Sequence, residues 1–166
     1  MANGPVSALD VAAYILHKLG GMTAMKLQKL VYYSQAWSLV WDETVLFKEK
    51  IEAWANGPVV RELFELHRGR FRVSQETFAG GDPDKLAAEQ KETVDAVLEY
   101  YGEKSSQWLS DLTHMEDPWK LARRGLADDQ RGDREITLDS MMEYYSGLQP
   151  HECSNSEETT PQGKSA

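Results

Sequence analysis

The sequence predicts a mainly α protein: a compact multi-helix domain around one buried central helix (helix 2), with a small β-hairpin at its side. Three observations carry that prediction. Residues 24–41, AMKLQKLVYYSQAWSLVW, place apolar side chains most of the way round a helix after Lys29, and a helix apolar on nearly all sides belongs in the middle of a domain. Amphipathic periods recur on either side of it, at Val11, Ile15 and Leu19 and again at Val94, Val97, Leu98 and Tyr101. Between residues 45 and 54 the period shortens to brief runs rich in β-branched and aromatic residues, the signature of a hairpin.

The first helix is expected over about residues 8–18. Ser7, three residues ahead of Asp10, resembles a capping box, and Gly20-Gly21 stops the run. Thr23 is placed to cap helix 2, which carries its polar Lys26, Gln28 and Lys29 in the first turns; Tyr32, Tyr33 and Trp37 are expected to bury their rings and send their polar atoms to the rim. VLF and IEAW, separated by the charged KEK, read as the two hairpin strands, with Leu46 and Ile51 on or near the core face. A two-stranded ribbon is marginal by itself and must lie against the helices. Asn56-Gly57-Pro58 then reads as a strand-to-helix corner, because glycine accepts positive φ, proline suits a first helical turn, and Val59, Leu63 and Leu66 recur at helical spacing. With neither nucleophile nor histidine beside it, the corner turns the chain rather than reacts.

Residues 69–84 hold three glycines and a proline, with RFRVS as a short extended piece and AGGDPDK looping outward. Asp84 or Pro83 is expected to open a long helix through about 101, with Leu86, Val94, Val97, Leu98 and Tyr101 inward. Ser105-Ser106 begins another helix carrying Trp108, Leu109 and Leu112. Asp117 is placed to cap a short one ahead of Pro118, with Trp119 inward and Gly125 at its end. Thr137 caps a last helix holding Leu138, Met141, Met142 and Tyr145. The domain is thus expected over 1–149, followed by a polar tail, 150–166, with too little to bury to fold.

Charge and composition narrow the chemistry. The single cysteine, Cys153, leaves no intramolecular disulfide and no cysteine-based zinc site, so a reducing cytoplasm is the expected location. The N-terminus lacks an export pattern and no stretch approaches the ~18 to 20 apolar residues of a span, so no membrane partner is expected. A net charge of −9 opposes phosphate backbones, and the basic run His67 to Arg72 reads as the cationic end of a helix, so direct nucleic-acid binding is not expected. His17, His67, His114 and His151 show no metal-ligand spacing, and no phosphate loop or nucleophile elbow is present; neither metal nor cofactor is expected. The best acid–base cluster is His114 with Glu116 and Asp117, where a carboxylate would orient and charge the imidazole; a plain helix junction is the simpler account. Glu52 and Glu62 flank the corner, either as a carboxylate pair in space or as edge-strand charge.

Four blocks together, MTAMKLQKLVYYSQAW (22–37), LFKEKIEAWANGPVVREL (46–63), DPWKLAR (117–123) and ITLDSMMEYY (136–145), resemble the Panacea domain of SocA-like antitoxins and prophage GepA-type proteins. The resemblance implies a mostly helical antitoxin, not an enzyme, that neutralises a toxin encoded beside it by direct protein-protein binding. Family toxins include translation inhibitors related to small alarmone synthetases. One branch resembles proteolytic adaptors, so a protease is a second implied partner. Ala24 and Val45 stand where the family often carries proline, which loosens the start of each element. An acidic domain suits covering a basic toxin active site. The candidate partner-binding residues are Lys26 and Lys29 at the expected exposed start of helix 2, Tyr33, and Trp54, Asn56 and Arg61 around the corner. Trp54 and Arg61 also have a structural reading, the first closing the hairpin on helix 2, the second pairing with Glu52 or Glu65. The rival class is a small hydrolase or transferase using His114 with Glu116 and Asp117.

Overall fold

The computed structural model describes residues 5–148. The expected tail at 150–166, with His151 and Cys153, lies outside the described residues. Seven α-helices and five short strands are present among the described residues, which makes the chain mainly α. No helix among them is long and apolar enough to cross a membrane.

Helix α1 (Ala8–Leu19) begins at a true capping box: the Asp10 backbone N–H donates to Ser7 Oγ at 3.2 Å and the Ser7 N–H to Asp10 Oδ2 at 3.0 Å. Gly20, at φ 83°, ends it. Strand β1 (Met22–Thr23) follows, and Thr23 caps the central helix α2 (Ala24–Trp37) through Lys26 N–H. The α-helix stops four residues short of the predicted end, because residues Ser38–Asp42 widen into a π turn. Twelve of its fourteen residues are buried, so α2 is the core helix that the sequence predicts. It packs against α1, α4 (Ala88–Tyr101), α5 (Ser106–Met115) and α7 (Leu138–Ser146).

The hairpin is real, and IEAW is one of its strands as predicted, but its partner strand is formed by other residues. Strand β2 (Ile51–Trp54) pairs antiparallel with β3 (Gly57–Val60), in the register Ile51 to Val60 and Trp54 to Gly57, while VLF forms no strand. The reason lies on α2. The Gln35 side chain accepts from Leu46 N–H at 2.8 Å and donates to Phe47 C=O at 2.7 Å, supplying both bonds that a neighbouring strand would give. Gln28, seven residues earlier, does the same for β3: its amide accepts from Val60 N–H at 2.8 Å and donates to Val60 C=O at 3.2 Å. The two glutamines therefore satisfy backbone groups that would otherwise be buried and orphaned. Leu46 and Ile51 are both buried, as expected.

Asn56-Gly57-Pro58 is accordingly a hairpin turn and not a strand-to-helix corner. Ala55 and Asn56 form the two-residue loop, Pro58 lies within β3 opposite Ala53, and α3 (Arg61–His67) starts three residues later than proline-first capping suggested. Pro58 is tolerated because β3 is an edge strand. Strand β4 (Arg72–Val73) is the short strand expected in RFRVS, and it pairs with β1; β5 (Glu135–Ile136) pairs with the other side of β2.

Two further expectations change. AGGDPDK does not loop outward: Asp82 N–H donates to Asp10 Oδ1 at 2.8 Å, and a side chain on Gly81 would collide with the Leu9 carbonyl, so the segment lies down on α1. Pro83–Lys85 is a 3-10 turn and α4 opens only at Ala88, although Leu86, Val94, Val97, Leu98 and Tyr101 are all buried as predicted. The last helix is capped by Thr137 as expected.

Candidate functional site

The hairpin turn, α3 and the residues ahead of β5 enclose a surface cleft of about 630 Å³ lined by Trp54, Ala55, Asn56, Arg61, Phe64, Arg68, Arg131, Gly132 and Asp133. Its floor is a ladder of rings and guanidiniums. The Arg61 guanidinium lies 5.5 Å from the centre of the Trp54 ring, the Phe64 ring meets Trp54 edge-on at 4.8 Å, and the Arg68 guanidinium lies 5.2 Å from the Phe64 ring. Glu52 locks the upper end. Its carboxylate accepts from Trp54 Nε1 at 2.8 Å and from Arg61 at 3.0 and 3.2 Å, and the hydrogen bonds from this exposed arginine raise its proton affinity further. Glu52 is therefore not half of a carboxylate pair with Glu62, and Arg61 takes Glu52 rather than Glu65.

The short helix expected at Asp117-Pro118, α6 (Asp117–Ala122), buttresses this cleft. Trp119 Nε1 donates to the Trp54 carbonyl at 2.8 Å; Arg123 donates to the Ala53 carbonyl at 3.0 Å and to the Ala127 carbonyl at 2.9 Å, tying β2 to the loop that carries Arg131 and Asp133. Ser110 Oγ donates to the Asn56 carbonyl at 2.8 Å and fixes the turn. The cleft's backbone is thus held before anything binds.

The remaining candidates lie elsewhere. Lys26 is half-buried, while Lys29 and Tyr33 are wholly buried and present no surface, so the start of helix 2 is not the exposed face that was expected. Lys29 Nζ has no hydrogen-bond partner, and burial holds its pKa down at about 7. It lies under the hairpin, where Gly57, at φ 120°, leaves room for it; a methyl there would overlap Lys29 Cε. The tyrosine hydroxyls also stay inside, against the expectation that they reach the rim. Tyr33 and Tyr145 both donate to Glu116 Oε1, at 2.7 and 2.6 Å, Tyr145 bonds Tyr32 at 3.0 Å, and Trp37 Nε1 donates to Tyr101 at 3.2 Å.

That arrangement takes the acid–base cluster apart. Burial, opposed by the two tyrosine hydrogen bonds, lifts Glu116 to about 7, and neither bond goes to His114. Glu116, not Asp117, occupies the N-cap position of α6, and its side chain points inward and makes no capping bond. His114 stacks on Trp119 with ring centres 4.1 Å apart, and burial, with the Lys29 charge second, lowers its pKa. Asp117 is exposed. No group of residues fit to hold a metal occurs among the described residues.

A family model described as antitoxin SocA-like, Panacea domain, matches residues 27–120, more than half of the chain. The chain belongs to this SocA-like antitoxin family. The matched Panacea segment includes most of α2, the hairpin, α3, α4, α5 and most of α6, and so the cleft's aromatic floor with Trp119 beneath it; Arg123, Arg131, Gly132 and Asp133 follow it. No curated protein and no solved structure matches. Of the cleft residues, sequence reasoning named Trp54, Asn56 and Arg61 and missed Phe64, Arg68, Arg131 and Asp133 as site residues. Phe64 at three residues from Arg61 was a readable signal; the 131–133 loop, brought in by β5 pairing and Arg123, carried none.

Proposed function

We propose that this Panacea-domain chain neutralises a toxin protein by binding it directly, and that the cleft at Trp54, Asn56 and Arg61 is where the toxin docks. The observation that supports this site is the aromatic–arginine ladder. Binding energy at protein interfaces concentrates in Trp, Tyr and Arg side chains fixed before contact, and Trp54 and Arg61 are fixed by Glu52 while remaining open to a partner. Family membership supports the toxin as that partner. The toxin is a translation inhibitor of the small alarmone synthetase type, encoded beside this chain, and neutralisation takes place in the cytoplasm.

The test is co-expression with the adjacent reading frame. Toxicity of the neighbour alone, relieved by this chain and lost again with Trp54→Ala or Arg61→Ala in a variant that still folds, is the expected result. A neighbour that is harmless, or toxicity relieved equally well by both variants, would overturn the proposal for that pair or for that site respectively.

A further inference from the structure

The geometry points to an acidic segment with an adjacent apolar residue, presented by the toxin, as what the cleft grips; this rests on the docking reading above and specifies its chemistry. The chain carries a net charge of −9, yet the side chains lining the cleft include three arginines against one acid, Asp133. The three are not equivalent. Arg61 is occupied by Glu52 at 3.0 Å and approached by Asp133 at 3.8 Å, so it serves as a flat cover over Trp54. Among the described residues Arg68 has only Glu65 as an acidic partner, at 3.2 Å, an exposed pair three residues apart of the kind that water exchanges readily. Arg131 has no acidic partner among the described residues. Two guanidiniums with donors to offer therefore flank the apolar floor made by Phe64 and Trp54.

A carboxylate fits the fork of a guanidinium, and an aromatic or aliphatic neighbour on the same segment would rest on Phe64 and Trp54. A nucleotide fits less well. The carboxylates of Glu52, Glu65 and Asp133 repel a multiply charged phosphate at close range more strongly than they repel a single carboxylate. The inference reverses the expectation drawn from net charge: on an acidic protein this cleft offers two arginines with donors to spare, which suits an acidic element of the toxin and not its basic active site.

The experiment selects a phage-displayed random peptide library on the immobilised full chain, then titrates a fluorescent synthetic copy of the most enriched peptide by polarisation. Enriched peptides should combine Asp or Glu with Trp, Phe or Leu. Their affinity should fall about tenfold or more with Arg131→Gln and again with Arg68→Gln, and stay unchanged with Arg124→Gln, an exposed arginine outside the cleft. Basic or neutral enriched peptides, affinity indifferent to both cleft arginines, or displacement by ATP in preference to an acidic peptide of equal charge would overturn the inference. The assay needs no toxin. Acidic peptides on the cleft without growth rescue would keep the cleft's preference for acidic segments and remove the toxin as their source, while rescue without acid preference would remove that preference and keep the antitoxin reading.

Discussion

Replacing Lys29 by methionine should make the protein more stable. The amine is 0% exposed, has no hydrogen-bond partner, and is held by burial at a pKa of about 7 against the ordinary 10.5. A folded-state pKa below the unfolded one means that the unfolded chain binds a proton that the folded chain refuses. Stability is therefore fully present above about pH 10.5, falls as pH drops toward 7, and is flat below. The whole drop corresponds to roughly 5 kcal/mol, which sets the ceiling on what the buried amine costs. Methionine keeps the length of the side chain and loses no hydrogen bond, so about 1 to 4 kcal/mol should be recovered at pH 7. Linkage gives a second signature: the gain should shrink to about half by pH 9. Urea unfolding followed by tryptophan fluorescence at both pH values measures it. A destabilised variant, or a gain that does not change between pH 7 and 9, would refute the reasoning by showing that the amine has a partner in solution.

Other perturbations follow from the same core. Gly57→Ala forces a side chain at φ 120° into Lys29 Cε and should cost about 2 kcal/mol or more, visible as a fall of several degrees in Tm; an unchanged Tm would contradict the packing. Glu116, raised from 4.5 to about 7, keeps its proton when folded, so its contribution is full below about pH 4.5 and is lost as pH rises through 7. Glu116→Gln retains an acceptor for Tyr33 and Tyr145 and should flatten that loss by up to roughly 3 kcal/mol; unfolding curves with equal slopes in both proteins would argue against it. Gln28→Met strands the Val60 N–H and C=O and should cost about 2 to 4 kcal/mol in urea unfolding, with a smaller loss showing that the hairpin edge finds other partners.

What could be read from the chain depended on how local the cause was. Caps and helical faces were legible because Ser7, Thr23, Ser105 and Thr137 act on N–H groups three residues away. Helix 2 announced its burial by being apolar all round. The hairpin was misplaced because its register is set across space: Gln35 takes Leu46 and Phe47, Gln28 takes Val60, and so 51–54 pairs forward with 57–60 instead of back with 45–47. Nothing in a polar glutamine on a core helix says which distant backbone it will satisfy. Lys29 is expected at the surface on residue type alone and Tyr33 with its hydroxyl at the rim; the fold places the lysine inside, beneath a glycine without a side chain, and turns the tyrosine hydroxyl inward onto Glu116. Trp54 and Arg61 were found because they flank the turn, whereas Arg131 and Asp133 join the site only through Arg123 and β5.

The most direct test of the account is the affinity between this chain and the purified product of the adjacent reading frame, measured by calorimetry for the wild type, Trp54→Ala and Lys29→Met. Docking at the cleft predicts a loss of about thirtyfold or more for Trp54→Ala and full affinity for Lys29→Met, which is buried away from the surface. Full affinity in Trp54→Ala together with a loss in Lys29→Met would contradict it, and would move the interface to a form of the protein in which helix 2 is uncovered.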